Sequence, residues 1–197
     1  MNDLTAVAQV VLTERQSRDR GWWDEMLACF HPDSTVKLSW IASTGPEFVE
    51  QSRRAFDSGA RPMHHLAPPV ARVDGDRAVV ELSGTIHNRL NLHDVEVDFT
   101  SNIRGLYQLQ RYDGDWLITA INAIYESDRI TPTIPGVAVP LDSALLQKFR
   151  APYRFMGYQL SLRGVNVPDD LYGDDQPEQT NALYRKVFDW LNHGGMT

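Results

Sequence analysis

Apolar residues early in the chain recur with the period of a helix: Leu4, Val7, Val11 and Leu12 share one side, and Arg15, Arg18 and Arg20 collect toward the end, where the helix dipole favours cations. This spacing predicts a helix over residues 3 to 19. "GWWDEMLACF" continues after Gly21 as a second short helix, stopped by the proline of "HPD" at 31 to 33. "STVKLSW" alternates as a strand. Thr44, Pro46 and Glu47 then supply the N-cap, first-turn proline and capping-box acid of a third helix running to about Ser58. Beyond it the period changes from helical to alternating. "DGD" at 74 to 76 and "YDGDW" at 112 to 116 are hairpin turns between β-rich runs. Helices segregated from a largely antiparallel sheet define an α+β domain, and a curved sheet wrapped around one long helix leaves a cone with a natural pocket at its open end.

Past residue 130 the texture shifts. "RITPTIPGVAVPLD" is a proline-rich extended arm, followed by helical patterns at 143 to 163 and at 177 to 193, the second opened by Pro177 and closed by Gly194. The expected division is a domain over 1–130 and an arm with a helical extension over 131–197. The extension is too small for a core of its own, so it is expected to pack on the cone, cover its mouth or reach a neighbouring subunit.

Composition narrows the function. A 197-residue chain with 42% hydrophobic and 23% charged residues is globular. Its net charge of −7 offers phosphate backbones no attractive field, which argues against a nucleic-acid partner. No apolar run approaches the roughly 20 residues that span a bilayer. Asp3 stands where a signal peptide would carry positive charge, so a cytoplasmic location and no membrane partner are expected. The one cysteine, Cys29, reads as a buried structural thiol.

No glycine-rich phosphate loop, G-x-S-x-G or H-E-x-x-H occurs, and no spacing of His, Cys, Asp and Glu suggests a metal site. What remains is acid and base work by imidazole. Asp19 lies where the first helix gives way to the second, His65 begins a strand in "RPMHHLAPPV", and His87 lies in "SGTIHNRL" on the next strand. Pairing about the 74 to 76 turn, with residue sums near 150, sets His65 and His87 on one face. His64 then faces the other way, toward solvent or an interface. Asp19 has a second reading as a cap of the second helix. His31, His93 and His193 are assigned to a turn, a hairpin loop and a helix end.

The order "RDRGWWDEM", "MHHL", "IHNRL", "YDGDW" resembles scytalone dehydratase and its SnoaL-like relatives in the NTF2-like superfamily of cone-shaped α+β barrels, over about residues 5 to 128. The resemblance implies that Asp19 orients His65 and that His87 completes the acid/base set. It also implies substrate contacts on the penultimate strand near Ile103 and Gly105, which brings in Asn102 and Arg104; Trp40 and Phe99 stand where aromatic walls are expected. Arg18 stands where the family has a tyrosine that helps polarise the substrate carbonyl. The implied function is a cofactor-independent dehydratase, a lyase acting on a small cyclic hydroxylated carbonyl compound, in a homo-oligomer (dimer or trimer). A ketosteroid-isomerase-like double-bond isomerase and a noncatalytic small-ligand-binding protein remain as alternatives.

Overall fold

The computed structural model describes residues 2–192. The expected roles of His193 and Gly194 lie outside them. Helix α1 (Asp3–Arg20) is capped by Asn2, whose side chain accepts from the Thr5 amide, and ends at Gly21 in the left-handed region. Helix α2 (Trp23–Ala28) is shorter than the pattern predicts, and strand β1 (Phe30–Lys37) starts at once, running through "HPD" with an irregularity between Phe30 and Thr35. Asp19 does not cap α2, whose N-cap, Trp22, makes no side-chain bond. A short strand β2 (Ala42–Thr44) precedes helix α3 (Gly45–Asp57), which carries the full capping box of Thr44 and Glu47.

Five strands follow: β3 (Met63–Leu66), β4 (Val70–Asp74), β5 (Arg77–Leu92), β6 (Val95–Tyr112) and β7 (Asp115–Pro132). The curved, unclosed sheet runs β2-β1-β7-β6-β5-β3, with β4 also paired to β5. The long strands are joined by two-residue turns, and His93, Asp94, Asp113 and Gly114 take the positive φ that such turns require.

Alternation sorts the sheet into two faces. Ala78, Val80 and Leu82 of β5 and Tyr107 and Leu109 of β6 face inward, packed with Val7, Val11 and Phe48 of α1 and α3. Their neighbours Val79 and Leu106 face outward.

The C-terminal segment, with α4 (Ser143–Leu146), α5 (Arg154–Ser161), β8 (Tyr172–Gly173) and α6 (Pro177–Asn192), covers both faces. Tyr153, Met156 and Leu171 pack inside the sheet against Leu90, Val97, Phe99 and Tyr125. Strand β8 pairs in parallel with β7, and α6 lays Leu183, Val187 and Leu191 on the outer face over Val79, Leu106 and Ile124. Two polar latches hold the segment. The Tyr158 hydroxyl accepts from the Asp142 amide at 3.1 Å and bonds His93 Nε2 at 2.7 Å. The Asp128 carboxylate accepts from the Met156 amide at 2.6 Å.

Candidate active site

The site is decided by a change of pleat. On β4, Ala71 and Val73 face inward, opposite Val80 and Ala78 of β5. Unbroken alternation would carry residues 69, 67 and 65 to the same side. But Val70 pairs with Glu81 and Leu66 with Gly84, so the sums of paired numbers drop from 151 to 150 across Ala67–Pro69. Pro68 and Pro69 have no N–H to give to the ladder, and the chain takes up one extra residue there. The pleat therefore inverts: His64, opposite Ile86, turns inward, and His65, opposite Thr85, turns outward.

Asp19, at the end of α1, meets the inward histidine. Its Oδ1 lies 2.6 Å from His64 Nδ1, and its Oδ2 accepts the His64 backbone N–H at 2.8 Å. The expected clasp of His65 by Asp19 is therefore not formed; the carboxylate holds His64. Only 6% of the His64 side chain and 17% of that of Asp19 are exposed. On the far side of the ring, Arg15 Nη1 is 3.4 Å from Nε2. Arg15 is buried and doubly hydrogen-bonded by the buried Glu14 carboxylate.

The electrostatics favour a neutral imidazole. Burial lowers the His64 pKa, the bond from Asp19 opposes this, and the charges of Arg15 and Arg18 reinforce the lowering. Burial works against ionising Asp19, but the hydrogen bonds and charge of His64 and the charge of Arg15 outweigh it and hold the carboxyl below its ordinary value. A neutral ring with a carboxylate at Nδ1 carries its proton there, which leaves the Nε2 lone pair as an acceptor on the inner side.

That side is a hollow lined by Arg15, His64, Tyr107 and apolar side chains, among them Leu38, Leu66, Leu82 and Ile103. Gly84 and Gly105 contribute bare backbone to its wall. At Gly105 this is a packing requirement, because a Cβ there would lie 2.6 Å from Tyr107 Cε2. Burial keeps the Tyr107 phenol protonated, so it is a donor. The enclosed space is only about 30 Å³, room for a water rather than a ring. It meets a groove of about 1330 Å³, open to solvent, at Arg15, His64 and Leu66.

The other expected residues fall elsewhere. His65 and His87 do share a face, the outer one by the pleat, with ring centroids 4.5 Å apart, and both border the same open groove as Asp19 and His64. Asn102 and Arg104 also point outward. Asn102 bonds Thr85 and Ser127, and Arg104 is held between Glu81 and Glu126. Phe99 is buried inside the sheet beneath the C-terminal segment, where it also borders the groove. Trp40 is half-buried beside Phe48, with the Arg18 guanidinium 5.9 Å from its ring. Residue patterning passed over Glu14, Arg15, His64 and Tyr107. The signal for His87 lay in β5 itself: apolar Ala78, Val80 and Leu82 place even positions inside and so put His87 outside. Among the described residues, no group of three or more His, Cys, Asp and Glu side chains is arranged to hold a metal ion.

Comparison with known proteins places this architecture. The model of the SnoaL-like domain matches residues 1–122, well over half of the chain. The chain belongs to the SnoaL-like family. Two fungal relatives extend the likeness beyond that domain. A protein of Emericella nidulans described as uncharacterized is 30% identical over 190 residues, which cover 89% of this chain and 80% of the relative. Pea pathogenicity protein 2 of Fusarium vanettenii is 28% identical over 184 residues, covering 88% and 79%. Among solved structures, a candidate scytalone dehydratase from Novosphingobium aromaticivorans superposes with a TM-score of 0.54 at 15% identity, over 71% of this chain and 93% of that one. A hexachlorocyclohexane dehydrochlorinase (type 2) gives a TM-score of 0.55 at 12% identity, over the same shares. At these identities the SnoaL-like fold is what is shared.

Proposed function

We propose that this SnoaL-like protein is a cofactor-independent lyase that eliminates water, or a similar leaving group, from a small cyclic hydroxylated carbonyl compound, with His64 as the base. The observation that carries the reading is the buried Asp19–His64 hydrogen bond, which leaves Nε2 as an acceptor beside Arg15 at the junction of hollow and groove. In this reading the substrate occupies the groove and presents its acidic C–H to His64. Nε2 takes that proton, the C–H electron pair becomes the new double bond, and the C–O bond to the leaving hydroxyl breaks. The imidazolium then returns the proton to the departing oxygen, which leaves as water. Asp19 stabilises the transient imidazolium, as a carboxylate behind a catalytic histidine does. Arg15 and the Tyr107 hydroxyl are the donors available to an oxyanion formed from the carbonyl.

This reading assigns both proton transfers to one imidazole and removes His87 from the acid role. The names of the two solved structures, a dehydratase and a dehydrochlorinase, both describe eliminations, which supports the reaction class by likeness of fold. The test is turnover of a panel of cyclic hydroxylated ketones followed by mass spectrometry. Elimination of water gives a product lighter by about 18 daltons, and isomerisation gives no change of mass. His64→Ala is expected to abolish the lighter product; unchanged turnover in that variant would remove His64 from the mechanism.

A further inference from the structure

Position 14 is where helix α1 asks for an apolar residue. Val7 and Val11 are fully buried, and Glu14, next on their stripe, is buried as deeply. A carboxylate there is costly unless it is paired and hydrogen-bonded. Its partner is the adjacent residue, although helix neighbours one apart do not face each other. The Arg15 side chain bends across to it, and Nε and Nη2 each donate to one oxygen of the Glu14 carboxylate.

This bidentate grip occupies one edge of the planar guanidinium and leaves Nη1 outside it. Nη1 is the nitrogen that stands 3.4 Å from His64 Nε2. At that length the contact is weak, so Nε2 stays open to a stronger partner. Arg15 borders both the hollow and the groove, and Glu14 borders neither. The pair also bears on charge. A guanidinium beside His64 opposes the imidazolium that forms in proton transfer. Burial works against the charge on Arg15, but the carboxylates of Glu14 and Asp19 outweigh it and keep the guanidinium protonated. Glu14 then offsets that charge from the edge turned away from Nη1. Arg18 is the other cation acting on His64, and Asp19 the carboxylate that clasps it.

We propose that Glu14 is the positioning residue of this site: it clamps Arg15 so that Nη1 meets the substrate oxyanion beside His64 Nε2, and it offsets the guanidinium charge as His64 takes the proton. The proposal rests on the reading of His64 as the base. Glu14 acts through Arg15 alone.

The first test needs neither a variant nor turnover. Nitrogen-15 spectra of the arginine side chains, assigned through the backbone, are expected to show separate Nη1 and Nη2 signals for Arg15, because the clamp stops rotation of the guanidinium. One averaged signal would overturn the proposal, whether or not a variant of this buried pair folds. The second test is kinetic. Glu14→Gln, nearly equal in shape, is expected to lower kcat about tenfold with KM within about twofold, and to move the His64 titration down by about half a pH unit as the Arg15 charge loses its balance. Arg15→Met is expected to lower kcat about a hundredfold. Glu14→Gln added to Arg15→Met should then cost no more than about twofold further, since no guanidinium is left to place. A full tenfold loss in that background would make Glu14 a structural residue and overturn the proposal, as would Glu14→Gln with full kcat and an unmoved His64 titration. A clamped Arg15 without turnover of any substrate would fail the lyase reading alone, and His64-dependent turnover at full kcat in Glu14→Gln would fail this proposal alone.

Discussion

On the inner side of β3, His64 is almost fully buried, clasped by Asp19 and approached by Arg15. One residue on, His65 is exposed and rests against His87 on the outer side, among Thr85, Asn102 and the Arg89–Asp98 pair. The two histidines have the same chemistry in isolation and differ in what surrounds them. Inside, desolvation and a single carboxylate fix one tautomer and aim one nitrogen. Outside, the exposed ring of His65 lies against His87 and has no such clasp. Location on the pleat, more than residue type, sets them apart.

The sharpest way to break this contrast is to exchange the histidines' fates. His64→Ala is expected to lower kcat/KM by about a thousandfold or more, within the range of a lost general base. His65→Ala and His87→Ala should each cost far less, within about tenfold, because their rings border the groove without a carboxylate to orient them. Steady-state kinetics on one dehydrated substrate decides it, and a large loss in His65→Ala would reverse the assignment. Next in size, Asp19→Asn replaces two acceptors by one and is expected to cost about a hundredfold in kcat, with KM nearly unchanged, as the imidazole loses its tautomer.

A smaller effect separates the cone from the C-terminal segment that covers it. Burial, opposed by amides of α5, raises the pKa of Asp128 from 3.8 to about 6. The folded state thus holds this proton more tightly than the unfolded chain does. The stability it contributes is complete below the unfolded pKa and is lost as pH rises through about 6. Melting temperatures of Asp128→Asn minus those of the unsubstituted protein should therefore increase from pH 4 to pH 7, and a pH-independent difference would contradict the docked position of this carboxyl. Smallest of all, Arg104→Ala on the outer face should change stability by no more than about 1 kcal/mol in chemical denaturation, because its ion pairs with Glu81 and Glu126 are partly solvated.

Much of this was legible in the sequence. The capping box at Thr44, the helical period from Leu4 to Leu12 and the D-G turns are local signals with local causes, and they gave the helices and hairpins of a SnoaL-like cone. Strand β7 runs to Pro132, past the expected domain boundary at 130, because the β6 ladder continues to hold it. The site was half-legible. Asp19 stood out, but alternation chose His65 and turned His64 away, because the register depended on one extra residue at Ala67–Pro69 that periodicity cannot count. The partner Arg15 was hidden because a charged residue near a helix end reads as solvated until the buried Glu14 beside it is seen. The helical tail was expected to pack somewhere. Its division between inner and outer faces follows from long-range contacts of Tyr153, Met156 and Val187 that no local pattern encodes.

Nitrogen-15 correlation spectra of the imidazoles, recorded from pH 4 to pH 8, read the Asp19–His64 arrangement itself. The structure calls for His64 to be neutral at pH 7 with its proton on Nδ1, and to titrate below the ordinary histidine value of 6.5. A His64 proton found on Nε2 at neutral pH, or a titration at or above that ordinary value, would contradict the proposed base.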